Sequence, residues 1–367
     1  MIDRDLEARR LPPLPGAGEM ARQWPRLRAE WIRLLAREEY GFSPPPPAWV
    51  RAETKAEEPR AWAGKAVHRT VSLGFPTPKG DFSFPVDYVL PITDKRTPLI
   101  VYLSFEKYPV GRYGPIEEIV DHGYAMAVFC YNDVTADLDD GFSSGLAGRY
   151  DRTGDDGTSW GKISMWAWAA SRVLDHALTL DGVDGKRVFC VGHSRLGKTS
   201  LWCGVQDERF AAAVSNDSGC SGAAITRDKQ GETVKDIVTR FPHWFCGNYR
   251  RYAGREHEMP FDQHMLLAAM APRPLYVASA DEDTWCDPYS EFLSCLEAGK
   301  AWRALGAKGL VHGGRMIRPG EFLHEGDIGY HLRSGTHFLS RYDWQMFLRF
   351  MDGHLGRQRL ASPDIAG

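Results

Sequence analysis

Apolar and polar positions change period along the chain. Over residues 18–40, Trp24, Leu27, Trp31, Leu34 and Leu35 recur at helical spacing, which predicts an amphipathic helix packed on a larger body. Pro44 to Pro47 end it as a stiff connector. From about residue 66 the period shortens, and AVHRTVSLGF and FSFPVDYVLP alternate like antiparallel strands entering a sheet. Continuous apolar runs follow: PLIVYLSF, YAMAVFCYN, KRVFCVGHS, FAAAVSND and RPLYVASA, each as long as a strand buried on both faces. Helical patterns separate them at 161–180, 196–206 and 289–305, and YDWQMFLRFMDGHL closes the chain. Such alternation predicts an α/β fold, a mostly parallel central sheet sandwiched by helices. We expect residues 1–60 to be an N-terminal helical extension packing on the main body, and 61–367 to form one catalytic domain.

Composition narrows the class little. The 367 residues are 43% hydrophobic and 25% charged, ordinary for a soluble globular protein. A net charge of -3 supplies no general attraction to nucleic acid or to an anionic membrane, and neither is expected as a partner. The first residues lack an apolar segment of signal-peptide type, so the expected compartment is the cytoplasm, or outside if a signal has been removed. A monomer is expected. The 7 cysteines are scattered, with no C-x-x-C pair, and read as buried free thiols. Neither metal nor cofactor is expected.

Residues 191–200, VGHSRLGKTS, admit two chemistries. Gly192, Gly197, Lys198 and Thr199 fit the phosphate-loop pattern G-x-x-x-x-G-K-[ST]. The same turn sets Ser194 directly behind an apolar strand, as serine hydrolases present their nucleophile. Order along the chain favours the second. Ser194 is followed by PLYVASADED, a strand ending in acids, and then by His337 in a loop before the last helix. Nucleophile, acid, histidine is the α/β-hydrolase order, and a nucleotide-binding protein has no use for that histidine. The elbow is a variant, because Leu196 stands where the second Gly of G-x-S-x-G belongs and Gly197 comes one step later. The loop LSFEKYPVG also lacks the glycines of a lipase oxyanion loop. One oxyanion donor is then the backbone N–H of Arg195, and the Arg195 guanidinium is the nearest candidate for a second.

Several stretches together resemble the glucuronoyl esterases of carbohydrate esterase family 15: VGHSRLGKT, SNDSGCSGAA, GETV, FPHWFCGNY, DQHMLLAAMAPRP, DEDTWCDP and GDIGYHLRSGTHFL, with an N-terminal helix similar to residues 20–45. The resemblance implies hydrolysis of (4-O-methyl-)glucuronic acid esters, such as those joining xylan side chains to lignin alcohols. It makes Ser194 the nucleophile, His337 the general base and Arg195 the oxyanion arginine. Lys198 would contact sugar hydroxyls, Trp285 would cover the sugar and Glu232 would hydrogen-bond it. Family members carry the acid at one of two places, here Asp217 or Asp283, and Asp283 is slightly preferred. His193 stands where secreted fungal members have a disulfide-bonded Cys, so that bridge is absent.

Blander readings accompany these. Ser194 could cap a helix. His324 and His331 compete with His337. His243, Trp244 and Phe245 read as packing, and Gln263 and His264 as a helix start. The nearest functional rival is an acetylxylan esterase or another carbohydrate carboxylesterase; a P-loop protein is the remoter one.

Overall fold

Ten strands form one sheet in the computed structural model, which describes residues 2–108, 111–152 and 155–361, with side chains as far as residue 354. They are β1 (Arg51–Arg60), β2 (Ala66–Phe75), β3 (Phe82–Pro91), β4 (Thr97–Ser104), β5 (Ala125–Cys130), β6 (Val183–His193), β7 (Ala212–Asn216), β8 (Leu275–Ala280), β9 (Phe322–Leu323) and β10 (Ile328–Arg333). The order across the sheet is β1-β2-β3-β5-β4-β6-β7-β8-β10-β9. β5, β4, β6, β7, β8 and β10 run parallel, while β1–β3 and β9 join antiparallel at the two edges.

Alternation along the central strands explains the unbroken apolar runs. Leu99, Val101 and Leu103 of β4 face one core, shared with Trp166 and Trp202 of the helices Lys162–Ala177 and Arg195–Gln206. Ile100 and Tyr102 face the other, shared with Ile116, Ile119, Trp344 and Phe347. Both faces are therefore dry, and either period-2 set must be apolar. The expected parallel sheet between helices is what forms.

The extension differs from expectation in two ways. A first helix, Ile2–Ala8, precedes the amphipathic one, Ala17–Leu35, which is broken at Gln23 (φ -121°) ahead of Pro25. Proline cannot donate the helical hydrogen bond and crowds the preceding turn. Met20, Trp24, Leu27, Trp31 and Leu35 are buried, and the following π-turn Ala36–Tyr40 stacks Tyr40 on Trp202 with ring centroids 4.2 Å apart. Residues 51–60, expected within a helical extension, are instead the edge strand β1. RAETKAEEPR shows no apolar alternation because almost all of it is exposed, and charges on an open edge strand disfavour pairing with another strand. No described helix is long and apolar enough to cross a membrane.

Register brings the chemistry to one rim. His193 pairs with Asn216, Asn216 with Ala278, and Ala280 with Arg333, so β6, β7, β8 and β10 end within two residues of one another. The residues that follow them meet in the crevice outside the carboxyl ends of the strands, where open α/β sheets carry their sites.

Candidate active site

Ser194 occupies the turn between β6 and the helix Arg195–Gln206, with φ 57° and ψ -126°, a strained conformation for a residue with a Cβ. Its N–H donates to Asn216 O at 2.8 Å, tying the turn to the end of β7. Its side chain makes no capping hydrogen bond, so the helix-cap reading fails. The glycine spacing has a steric cause. A Cβ on Gly192 would lie 2.0 Å from Leu196 O, and one on Gly197 would press within 3.0 Å of Ser215 Oγ and Ser218 Cβ. Leu196 itself is buried in the core, so here the close approach falls at residue 197.

Hydrogen bonding separates the two candidate acids. His337 Nδ1 lies 2.6 Å from Asp283 Oδ2, and the His337 ring stands 4.6 Å from that of His193, the residue before Ser194. Burial alone would raise the Asp283 carboxyl; the bond and charge of His337 overcome it and hold the group below the usual carboxylate range. Asp217, the other candidate, does not reach His337. Its Oδ1 accepts from Ala280 N at 2.8 Å, and its Oδ2 faces Arg333 Nη2 at 3.2 Å and Phe338 N at 3.4 Å. Complete burial, with Glu291 close by, raises its carboxyl far above the ordinary value despite Arg333. Asp217 thus braces the loop that carries His337. Asp281 accepts from Gly335 N at 2.8 Å and does the same from the other side.

Competing histidines are spent elsewhere. His331 is buried between Asp343, 2.8 Å from its Nε2, and Tyr276, 2.9 Å from its Nδ1. His324 shares that tyrosine hydroxyl at 2.7 Å. His193 pairs with Asn216 Oδ1 at 2.7 Å, and burial together with His337 pushes its imidazole down to about 3, so it stays neutral beside His337. Cys286 Sγ lies 3.6 Å from His337 Nδ1. The ligand atoms of Asp283, Cys286 and His337 fall within 4.8 Å of one another, a grouping that could also hold a metal ion. The hydrogen bond to Asp283 already occupies Nδ1.

Lys198 departs from its expected role. Its ammonium is buried and donates to Ser218 O at 2.5 Å and Cys220 O at 2.7 Å, with Glu232 Oε2 at 3.4 Å. These acceptors use its three protons, so it binds the protein's own loop rather than projecting to sugar hydroxyls, and it faces no open cradle for a phosphate. Glu232 is likewise buried, facing Lys198. Trp285, by contrast, is 43% exposed two residues from Asp283, with Arg240 5.6 Å from its ring. Its carbonyl accepts from Glu232 N at 2.9 Å, which joins the Trp285 and Glu232 segments.

The structure adds residues that sequence reasoning missed. Arg195 Nη1 donates to Asp137 Oδ2, and Asp137 Oδ1 accepts from His243 Nε2 at 2.8 Å and Trp244 Nε1 at 2.7 Å. His243 and Trp244 are therefore polar partners at the site, not simple packing; Phe245 is buried in the core as expected. Asp137 sits in the acid-rich loop TADLDDG. Only its place after an apolar run, beyond the carboxyl end of β5, marks it in the sequence. Gln263 begins the helix Gln263–Ala268 as expected, capped by Asp262.

With Ser194 after β6, Asp283 after β8 and His337 after β10, the fold is of the α/β-hydrolase class, and these three residues follow its strands in the order serine, acid, histidine. The model of the family described as "Glucuronyl esterase, fungi" matches residues 79–306. The chain belongs to this family, the glucuronoyl esterases of carbohydrate esterase family 15. Among its relatives is carbohydrate esterase MZ0003 from an unknown prokaryotic organism, 42% identical over 243 residues, which are 65% of this chain and 56% of that protein. Another is the 4-O-methyl-glucuronoyl methylesterase of Podospora anserina, 29% identical over 77% of this chain and 57% of that one. The chain thus spans a little over half the length of these curated relatives. A solved glucuronoyl esterase from Solibacter usitatus superposes with a TM-score of 0.84 at 34% identity, covering 93% of this chain and 98% of that one.

Proposed function

We propose that this protein hydrolyses esters of glucuronic acid, including 4-O-methylated ones, through an acyl-enzyme on Ser194. The observation that carries the reading is the 2.6 Å bond between His337 and Asp283 beside the strained, uncapped Ser194. His337 takes the serine proton as the hydroxyl attacks the ester carbonyl. Asp283 holds the imidazole in the tautomer whose Nε2 is free to accept and stabilises the imidazolium that forms. Arg195 donates to the oxyanion from its backbone N–H, at the start of a helix whose first amides lack helical partners, and from its guanidinium. The alcohol leaves with the proton from His337, and water then attacks the acyl-enzyme through the same base. Trp285 offers an exposed ring on which a sugar can lie. Lys198 acts indirectly by holding the loop Ser218–Cys220 and Glu232 at the cleft. Relatives named as 4-O-methyl-glucuronoyl methylesterases support uronate esters over acetyl esters.

The test compares a benzyl glucuronate ester with an acetylated xyloside, on wild type and Ser194→Ala. Turnover of the glucuronate ester that disappears in Ser194→Ala is expected. Hydrolysis of the acetyl ester alone would overturn the substrate assignment.

A further inference from the structure

Asp137 has no part in the steps above, yet the protein ties it down from every side. Its two oxygens meet Arg195, His243 and Trp244, and Tyr131 Oη approaches Oδ2 at 3.3 Å. Burial would raise its carboxyl, but His243, Arg195 and Trp244 overcome that and hold it down at about 2, so it remains an anion. The loop beneath it is pinned by buried Lys162, which donates to the carbonyls on either side, Ala136 O at 2.7 Å and Leu138 O at 2.8 Å, and to Asp140 Oδ1 at 2.7 Å. Around the guanidinium stand Trp244 at 4.8 Å and Phe105 and Phe241 at 5.6 Å from their ring centroids. The planar fork is thus held through Nη1, while Nε is buried with no hydrogen-bond partner among the described residues.

Charge gives this arrangement a second consequence. The substrate ester is neutral at its carbonyl, but hydrolysis leaves a carboxylate on the sugar. An unpaired arginine grips a carboxylate through two parallel hydrogen bonds and would retain the product. We propose that Asp137 is a positioning residue that aims the Arg195 guanidinium at the ester oxygen and, by engaging its Nη1 and pairing its charge, keeps Arg195 from capturing the free uronate product. The proposal rests on the glucuronoyl ester reading and on Arg195 as oxyanion donor.

Steady-state kinetics with benzyl glucuronate, and inhibition by free glucuronate, test it in wild type, Asp137→Asn, Arg195→Met and the double variant. Asn keeps a carbonyl for His243 and Trp244, and thermal midpoints check folding. In Asp137→Asn, kcat should fall about ten-fold or more, since loss of an entire oxyanion donor costs about 10²–10³. KM for the neutral ester should stay within about two-fold, and Ki for glucuronate should drop several-fold. A purely structural role lowers kcat without tightening product inhibition, and a purely electrostatic one raises kcat; either result overturns the proposal. On the Arg195→Met background, Asp137→Asn should add no further loss, and an additive loss also overturns it. Should Asp137→Asn not fold, wild type and Arg195→Met still decide. Weak product inhibition, little altered by Arg195→Met, supports the proposal, and strong inhibition abolished by Arg195→Met refutes it. Wild-type kcat in Arg195→Met would instead remove the oxyanion reading itself.

Discussion

Exchanging the two candidate acids for asparagine should separate catalysis from architecture. In Asp283→Asn, the group 2.6 Å from His337 Nδ1 becomes an amide. An amide NH₂ turned toward Nδ1 stabilises the tautomer with its proton on Nε2, which cannot accept the serine proton. Such an inversion costs about 10⁴ in kcat with the geometry intact. Asp217→Asn changes a buried carboxyl group whose oxygens accept from Ala280 N, Arg333 and Phe338 N and do not touch His337. Its amide oxygen can keep the Ala280 bond, but its NH₂ then faces Arg333 and Phe338 donors. Leaving such buried groups unmatched costs about 1–3 kcal/mol. Turnover should stay within about five-fold of wild type, because Arg333 keeps its hydrogen bonds to Asp343 and to the carbonyl of Thr336. The assay is kcat/KM on benzyl glucuronate at pH 7, with urea unfolding of both variants. Comparable losses of turnover in the two variants, or more than a tenth of wild-type activity in Asp283→Asn, would refute the assignment.

Three further outcomes are expected. Glu291 is fully buried and accepts from Gly219 N and Ser279 Oγ; desolvation raises its carboxyl to about 7. A group raised in the fold contributes stability that is full below its unfolded pKa and is lost as pH rises through the folded value. Wild type should therefore lose up to about 3 kcal/mol between pH 4.5 and 7 that Glu291→Gln does not lose. Urea unfolding at pH 5 and pH 8 checks this, and parallel pH dependences would contradict it. Lys198→Met strands the Ser218 and Cys220 carbonyls and leaves Glu232 buried without its cation. Breaking a buried pair in this way should destabilise the fold by about 3–5 kcal/mol in urea unfolding. Unchanged stability would restore a free, ligand-facing lysine. Trp285→Ala should raise KM for the glucuronate ester several-fold while shifting stability by less than about 0.5 kcal/mol, since the ring is substantially exposed. An unaltered KM would remove Trp285 from the sugar site.

How far the sequence reached can be read from individual elements. The central strands were legible because burial on both faces leaves them uniformly apolar, and a run such as PLIVYLSF has few alternatives. β1 was not legible, because an exposed edge strand carries no apolar period. Ser194 and His337 could be found from their order behind successive strands, a property of the chain itself. The choice between Asp217 and Asp283 could not, because both follow parallel strands at the same rim. It turns on which oxygen stands 2.6 Å from an imidazole and which is tied to Arg333.

Lys198 shows the limit in the other direction. A lysine behind a glycine fits a phosphate loop, a sugar contact and a buried clamp equally well in one dimension. Only the carbonyls of Ser218 and Cys220, brought round by the β7 turn, show where its charge is spent. Asp137 is the fuller case, since Arg195, His243 and Trp244 lie 58, 106 and 107 residues from it and no local pattern links them. Hydrophobic period and the order of reactive groups are properties of neighbouring residues, so the chain alone determined the α/β architecture, the elbow and the histidine. Hydrogen-bond partners are chosen by distance and angle between segments remote in sequence, so the carboxylate that pairs with His337, the clamp on Arg195 and the burial of Lys198 were decided by the tertiary structure.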